Sequence, residues 1–95
     1  MTDEEIIKQV EAFAFDAGPM TAERRNRGFT LIHATTGTPI ARINPVKGHD
    51  GLFDLLYWSL WKERWVPFGP FGRTATTLHD ALTIVAEASI FWVFR

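Results

Sequence analysis

The fold is decided by the stretch Phe29-Thr30-Leu31-Ile32-His33-Ala34, by Ile40-Ala41-Arg42-Ile43-Asn44-Pro45-Val46, and by the turn Thr35-Thr36-Gly37-Thr38-Pro39 between them. Both flanking segments are rich in β-forming residues, and the intervening turn offers a glycine for a positive φ. In the second segment, Ile40, Arg42 and Asn44 are expected on one face, and Ala41 and Ile43 on the other. The pattern predicts a β-hairpin over 29–46, whose second strand ends near Pro45.

The meander is expected to continue downstream of this hairpin. Gly48-His49-Asp50-Gly51 reads as a turn, and Leu52–Trp58 as a third strand. A turn over Ser59–Glu63 and a short fourth strand over Arg64–Phe68 follow, with Pro67, Gly69, Pro70 and Gly72 breaking regularity after that. The sequence thus predicts an antiparallel meander of three or four strands.

A helix is predicted on each side of the meander. Residues 3–16 begin with the capping-box pair Thr2 and Glu5 and end before Gly18-Pro19, and residues 20–28 form a polar connector. The second helix starts at Thr77 and ends near Ser89, while residues 90–94 fit a helical turn or a strand equally well. The expected core comprises Ile6, Val10, Phe13, Ile32, Ile43, Leu82 and Val85. We predict a single α+β domain over 1–95, with both helices on one face of the sheet.

Composition excludes several classes of protein. The chain has 95 residues, 46% of them hydrophobic, and no cysteine, which rules out disulfides and thiolate metal sites. No apolar run reaches the roughly 20 residues that a membrane span needs, and the acidic start Met1–Glu5 does not resemble a secretory leader. We expect a cytoplasmic domain that does not bind membranes.

The net charge of −1 hides an uneven distribution. Residues 1–23 carry six acidic residues and one basic residue, whereas residues 24–73 carry eight basic residues and three acidic ones. The simplest interpretation is attraction between an acidic helix and a basic sheet of the same molecule. On that interpretation Arg24, Arg25 and Arg27 neutralise the first helix in exposed ion pairs.

No motif indicates catalysis or cofactor binding. His33, His49 and His79 lack metal-ligand spacing, Ser59 and Ser89 lack the context of an activated nucleophile, and the acidic residues show no converging pair. Phe68–Arg73 is glycine-rich but interrupted by Pro70, and a tight turn explains it better than a phosphate loop. We therefore assign no catalytic, metal-binding or cofactor-binding residue and no cofactor, and favour a non-enzymatic role.

Aromatic residues concentrate in the second half of the chain, and both faces of the third strand are apolar. Phe53, Leu55 and Tyr57 point one way, and Leu52, Leu56 and Trp58 the other. An antiparallel sheet with one face in water should instead alternate apolar and polar residues. Two short helices cover only one face, so the other needs the chain's own tail, a second copy or a foreign partner.

Two functions follow from this excess of apolar surface. The first is a small interaction or assembly domain, a homodimer or a binder of another protein. Its candidate interface comprises Phe53, Leu55, Tyr57, Trp58, Trp61 and Trp65. The alternative is single-stranded nucleic-acid binding through the aromatic, basic segment Tyr57–Trp65, where bases stack on rings and cations meet phosphates. Its candidate cations are Arg24, Arg25, Arg27, Lys62 and Arg64.

Overall fold

The computed structural model describes residues 1–92. The first helix, α1, spans Asp3–Ala12 and begins with the predicted capping box, in which Thr2 and Glu5 each bond the other's backbone N–H. It buries Ile6 and Val10 and ends four residues earlier than expected. The chain leaves the helix at Phe13 (φ −73°, ψ 134°), which brings the rings of Phe13 and Phe15 to 4.7 Å. Phe15 is consequently buried, whereas Phe13, expected in the core, is half-buried.

Six antiparallel strands form one sheet. They are β1 (Met20–Arg25), β2 (Gly28–His33), β3 (Pro39–Pro45), β4 (Leu52–Ser59), β5 (Arg64–Pro67) and β6 (Thr76–Thr77). The order β1-β2-β3-β4-β5 is that of a meander, and β6 pairs with the beginning of β4 beyond the end of β5. The predicted α+β class is confirmed, and the meander is longer than the three or four strands expected.

The predicted polar connector over 20–28 is wrong, because its first six residues form the edge strand β1. Met20 and Ala22 are buried, while Glu23, Arg24 and Arg25 are exposed. Asn26 and Arg27 take positive φ values of 47° and 65° and join β1 to β2 in a two-residue turn. Charged residues commonly protect an exposed sheet edge, so the run of charges that resembled a loop belongs to an edge strand.

A β-bulge in the first hairpin changes which side chains face the core, so the predicted faces are partly wrong. The register shifts between Leu31 and Ile32, so that Ile40 and Ala41 both lie in the fully buried core. Ile40 therefore does not share the face of Arg42. Ile32, predicted to be buried, lies on the opposite face from Leu31 and is half-exposed.

The second helix, α2, spans Leu78–Glu87 and buries Leu78, Ala81, Leu82 and Val85. It starts as predicted, with Thr77 accepting a hydrogen bond from the Asp80 N–H (3.3 Å), and ends two residues before Ser89. A 3₁₀ turn follows over Ser89–Trp92, and it places Phe91 in the core with its ring 5.2 Å from that of Phe68. Residues 93 and 94 of the predicted tail lie outside the described residues.

Both helices and the 3₁₀ turn pack against one face of the sheet. Their buried side chains join Phe29, Leu31, Ile43 and Leu55 in a single core cluster. The other side of the sheet we call the uncovered face, because neither helix described in residues 1–92 packs there. Neighbouring strands place these side chains on it: Thr30, Arg42, Leu56, Trp58 and Trp65. The predicted surplus of apolar surface therefore lies on the side that the helices leave open.

Candidate interaction surface

The β4–β5 hairpin presents an aromatic cluster at one end of the uncovered face. Trp58 and Trp65 are directly opposite in the register, and their rings meet edge to face with centroids 5.4 Å apart. The connecting turn is closed by the Lys62 N–H, which donates to Ser59 Oγ at 3.0 Å. This closure leaves Trp61 at the tip of the hairpin, 94% exposed.

An apolar cavity of about 290 Å³ lies beside this tip. Its lining residues are Thr38, Pro39, Trp58, Leu60 and Trp65. Leu60, which lines this cavity, is 58% exposed and directly precedes Trp61 in the same turn. The hairpin thus carries a projecting indole ring and part of the lining of an apolar recess.

The candidate interface residues divide between the two faces of the sheet. Phe53 and Leu55 are buried under the helices, at 2% and 0% exposure, and Tyr57 is half-buried against the same core. Trp58 and Trp65 are partly exposed on the uncovered face, and Trp61 projects from the tip. The side chains available to a partner are therefore the three tryptophans rather than all six residues.

The candidate nucleic-acid cations form two separate groups. Arg24 bonds Asp3 of α1 through Nη1 (3.0 Å) and lies 5.1 Å above the Phe29 ring, on the helix side of β1. Arg25 pairs with Glu23 on β1 itself. Arg27 follows in the next turn, whereas Lys62 and Arg64 belong to the β4–β5 hairpin. Since β1 and β5 are opposite ends of the main strand path, the structure does not bring these five cations together.

Arg42 is the polar residue that sequence reasoning missed. It is only 7% exposed, in the middle of the uncovered face. Its Nη1 donates to Thr30 Oγ1 (3.0 Å), and its Nη2 donates to the Arg25 carbonyl (2.7 Å) and to Asn44 Oδ1 (3.4 Å). Burial lowers the pKa of the Arg42 guanidinium, and the charge of Arg25 lowers it further. The signal in the sequence was a lone arginine between Ala41 and Ile43, both apolar.

A second cavity, of about 300 Å³, lies over this arginine, and we call it the Arg42 cavity. Its lining residues are Arg25, Asn26, Thr30, Pro39, Arg42 and Trp65. Pro39 and Trp65 also line the apolar cavity, so the two recesses adjoin. Together they form a continuous surface that is apolar at the hairpin end and cationic towards β1.

A third cavity, of about 500 Å³, lies at a different place, between the N-terminus and the Gly48–Gly51 turn. Its charged groups already neutralise one another. Arg24 bonds Asp3 at 3.0 Å, and the terminal ammonium of Met1 is 3.4 Å from Asp50 Oδ1. Because its charges are compensated within the chain, this cavity is a weaker candidate for a ligand than the Arg42 cavity.

His33 has a structural role. Its Nε2 lies 2.7 Å from the Ala17 carbonyl, and its Nδ1 accepts the N–H groups of Thr35 and Thr36 at 3.2 and 3.3 Å. These contacts place the proton on Nε2 and tie the α1–β1 connection to the β2–β3 turn. His49 and His79 are exposed, and no group of three metal-binding side chains occurs within residues 1–92.

Asp54 organises the glycine-rich connection after β5. Its Oδ1 accepts the N–H groups of Thr74 (3.0 Å) and Ala75 (2.9 Å), and its Oδ2 lies 3.1 Å from Arg73. Gly69 has φ +114°, and a Cβ there would lie 2.2 Å from the Arg73 carbonyl oxygen. The segment is a close-packed turn, in keeping with the interpretation made from the sequence.

No protein-family model, curated protein or solved structure matches this chain. Among residues 1–92, no helix has the length and apolar character needed to cross a membrane. We consequently infer the function of this chain from the uncovered face and its two cavities.

Proposed function

We propose that this chain is a small non-enzymatic interaction domain that self-associates through the hairpin end of the uncovered face. The observation that carries the proposal is the indole of Trp61, 94% exposed beside the apolar cavity. A large aromatic side chain buries about 150–250 Å² when covered, which is a substantial driving force for association. The cytoplasmic location of the chain stays a prediction from the sequence.

A second copy of the chain is the occupant that fits the shape of this surface. The projection and the recess lie next to each other, so a two-fold axis near the hairpin tip would place each Trp61 in the cavity of the other copy. Such an isologous contact closes on itself and stops at a dimer. The net charge of −1 adds little repulsion between copies.

The chain's own tail does not compete for this surface over its described length. Phe91 is fully buried in the core, and the Trp92 indole donates to the Val85 carbonyl at 2.8 Å on the helix side of the sheet. A foreign protein partner remains an outcome that the experiment distinguishes from self-association.

Light scattering during size-exclusion chromatography, over a range of protein concentrations, tests the proposal. We expect the parent chain to elute as a dimer and the Trp61→Glu variant as a folded monomer. Phe71→Glu is the matched control, since Phe71 is also fully exposed but lies outside the β4–β5 hairpin. It should remain dimeric. A parent that is monomeric at high micromolar concentration, or equal dissociation by both substitutions, would overturn the proposal.

A further inference from the structure

We propose that the Arg42 cavity binds a nucleoside phosphate, with the phosphate held by Arg42 and Arg25 and the base against Trp65. This inference goes beyond self-association. It rests mainly on Arg42 and Arg25, which do not line the apolar cavity, whereas Trp65 lines both cavities. It narrows the nucleic-acid alternative to one cavity, whose charge and shape the sequence did not indicate.

The positive charge of Arg42 is not compensated by a carboxylate. The three acceptors of its hydrogen bonds are a hydroxyl, a carbonyl and an amide oxygen, all neutral. The two acidic residues on this face have other partners, because Glu23 pairs with Arg25 and Asp54 pairs with Arg73. No carboxylate of the described residues lies within ion-pairing distance of Arg42. A buried charge without a counter-ion is costly, so a bound anion would be strongly favoured there.

Phosphate is the kind of anion that suits this site. A guanidinium has five N–H groups, and the hydrogen bonds of Arg42 occupy three of them, which leaves two for a ligand. The free groups are Nε–H and one N–H of Nη1, each of which can donate one charge-assisted hydrogen bond to a phosphate oxygen. Arg25 and Asn26 line the same cavity, and Arg25 keeps three free N–H groups beside its ion pair with Glu23.

Trp65 forms an aromatic wall of the Arg42 cavity. Trp65 is partly exposed, lines both cavities and is held edge to face by Trp58. An exposed aromatic side chain offers a platform on which a nucleobase can stack. The Arg42 cavity, of about 300 Å³, offers room for a phosphate beside the arginines and a base against Trp65. A ligand that joins both groups is a nucleotide, either free or within a single-stranded nucleic acid.

Isothermal titration calorimetry with adenosine 5′-monophosphate, adenosine, inorganic phosphate and a short oligodeoxythymidine tests this site. It should be performed on the parent and on the Trp61→Glu variant, so that a failure of self-association is seen separately. We expect the monophosphate to bind more tightly than adenosine or phosphate alone. Tighter binding of the oligonucleotide would identify single-stranded nucleic acid as the source of the phosphate, and equal binding would identify a free nucleotide.

Arg25→Gln removes one guanidinium without disturbing the core, since the Arg25 side chain is 62% exposed. We expect it to weaken monophosphate binding about tenfold, the equivalent of about 1.4 kcal/mol for one charge-assisted contact. Arg42→Gln should abolish binding, and Lys47→Gln, an exposed cation outside the cavity, should leave it unchanged. Absence of monophosphate binding at millimolar concentration, equal affinity for adenosine, or equal effects of Arg25→Gln and Lys47→Gln would overturn the proposal.

Discussion

Trp58 and Trp65 close the β4–β5 hairpin on the uncovered face, with their rings 5.4 Å apart and inclined at 78°. The arrangement is edge to face, the geometry that the charge distribution of aromatic rings favours. The pair closes the hairpin whose tip presents Trp61, and Trp65 also lines both cavities. We therefore expect the stability of the hairpin and the proposed binding by this face to be coupled through these two rings.

A double-mutant cycle with Trp58→Leu and Trp65→Leu measures that coupling. We expect an interaction free energy of about 0.5–1.5 kcal/mol from urea unfolding, beyond the loss of buried area. Trp58→Leu combined with Phe71→Leu serves as the control, because Phe71 is fully exposed outside the pair. Additive effects for both cycles would show that the tryptophan pair contributes no specific stabilisation.

Val85 lies at the centre of the core, with 0% exposure on the buried side of α2. Val85→Asp places a carboxylate there without a partner, and we expect the loss of stability to exceed about 3 kcal/mol and to prevent cooperative folding. Ser89→Asp introduces the same group at an exposed position just beyond the helix and should be nearly neutral. A Val85→Asp chain that melts cooperatively at the parent temperature would contradict the packing of α2.

Gly28 begins β2 at a point where two side chains approach the backbone closely. A Cβ there would lie 1.9 Å from Asn44 Oδ1 and 2.7 Å from Arg42 Nη2. We expect Gly28→Ala to cost about 1–3 kcal/mol through overpacking and to shift Arg42. Gly37→Ala is the control, because Gly37 faces open space and its substitution strains only a backbone at φ +74°. Chemical denaturation should show the larger loss for Gly28→Ala, and the opposite order would exclude the steric explanation.

The capping box of α1 depends on pH. The Thr2 backbone N–H donates to Glu5 Oε1 (3.2 Å), and this bond, with the Thr2 side chain, lowers the pKa of the Glu5 carboxyl. A carboxyl whose pKa is lower in the folded state stabilises the fold above its unfolded pKa of about 4.3. That stabilisation is lost as the pH falls through the lower folded pKa.

Glu5→Gln should therefore reduce stability at neutral pH and lose its effect in acid. Urea unfolding at about pH 7 and about pH 3 checks this expectation. Glu4→Gln, which removes a first-turn charge outside the capping box, is the control for the general effect of charge near the helix start. A Glu5→Gln effect that is the same at both pH values would mean that ionisation of Glu5 does not support the cap.

The arginines of β1 and its turn are expected to matter little for stability. Arg24 and Asp3 form an ion pair whose side chains are 45% and 57% exposed, so water screens their attraction. Replacement of Arg24, Arg25 and Arg27 by glutamine should change the free energy of unfolding by about 0–1 kcal/mol for each exposed pair. Thermal melts at low and high salt provide the measurement, and a loss of several kcal/mol would show that the arginines hold α1 on the sheet.

The sequence by itself predicted the elements that have strong local signals. The capping box at Thr2, the Thr77 cap of α2 and the hairpin around Gly37 all lie where their residues indicated. The alternation of β4, with Leu55 on one face and Trp58 on the other, also followed from the side-chain period of a strand. These features depend on residues close in the chain, so the sequence contains their physical causes.

Other features were decided only by tertiary structure. The edge strand β1 forms because β2 supplies its hydrogen-bond partners, although its charges resemble those of a loop. After the end of α1, the Phe13 ring lies 6.0 Å from that of His79 and the Phe15 ring 6.4 Å from that of Trp92. The bulge near Ile32 turns Ile40 into the core. Burial of Arg42 likewise requires Thr30 on a neighbouring strand. Local sequence indicated both helices and the strands β2 to β5, whereas contacts between distant segments decided that β1 forms and which side chains lie buried, exposed or around a cavity.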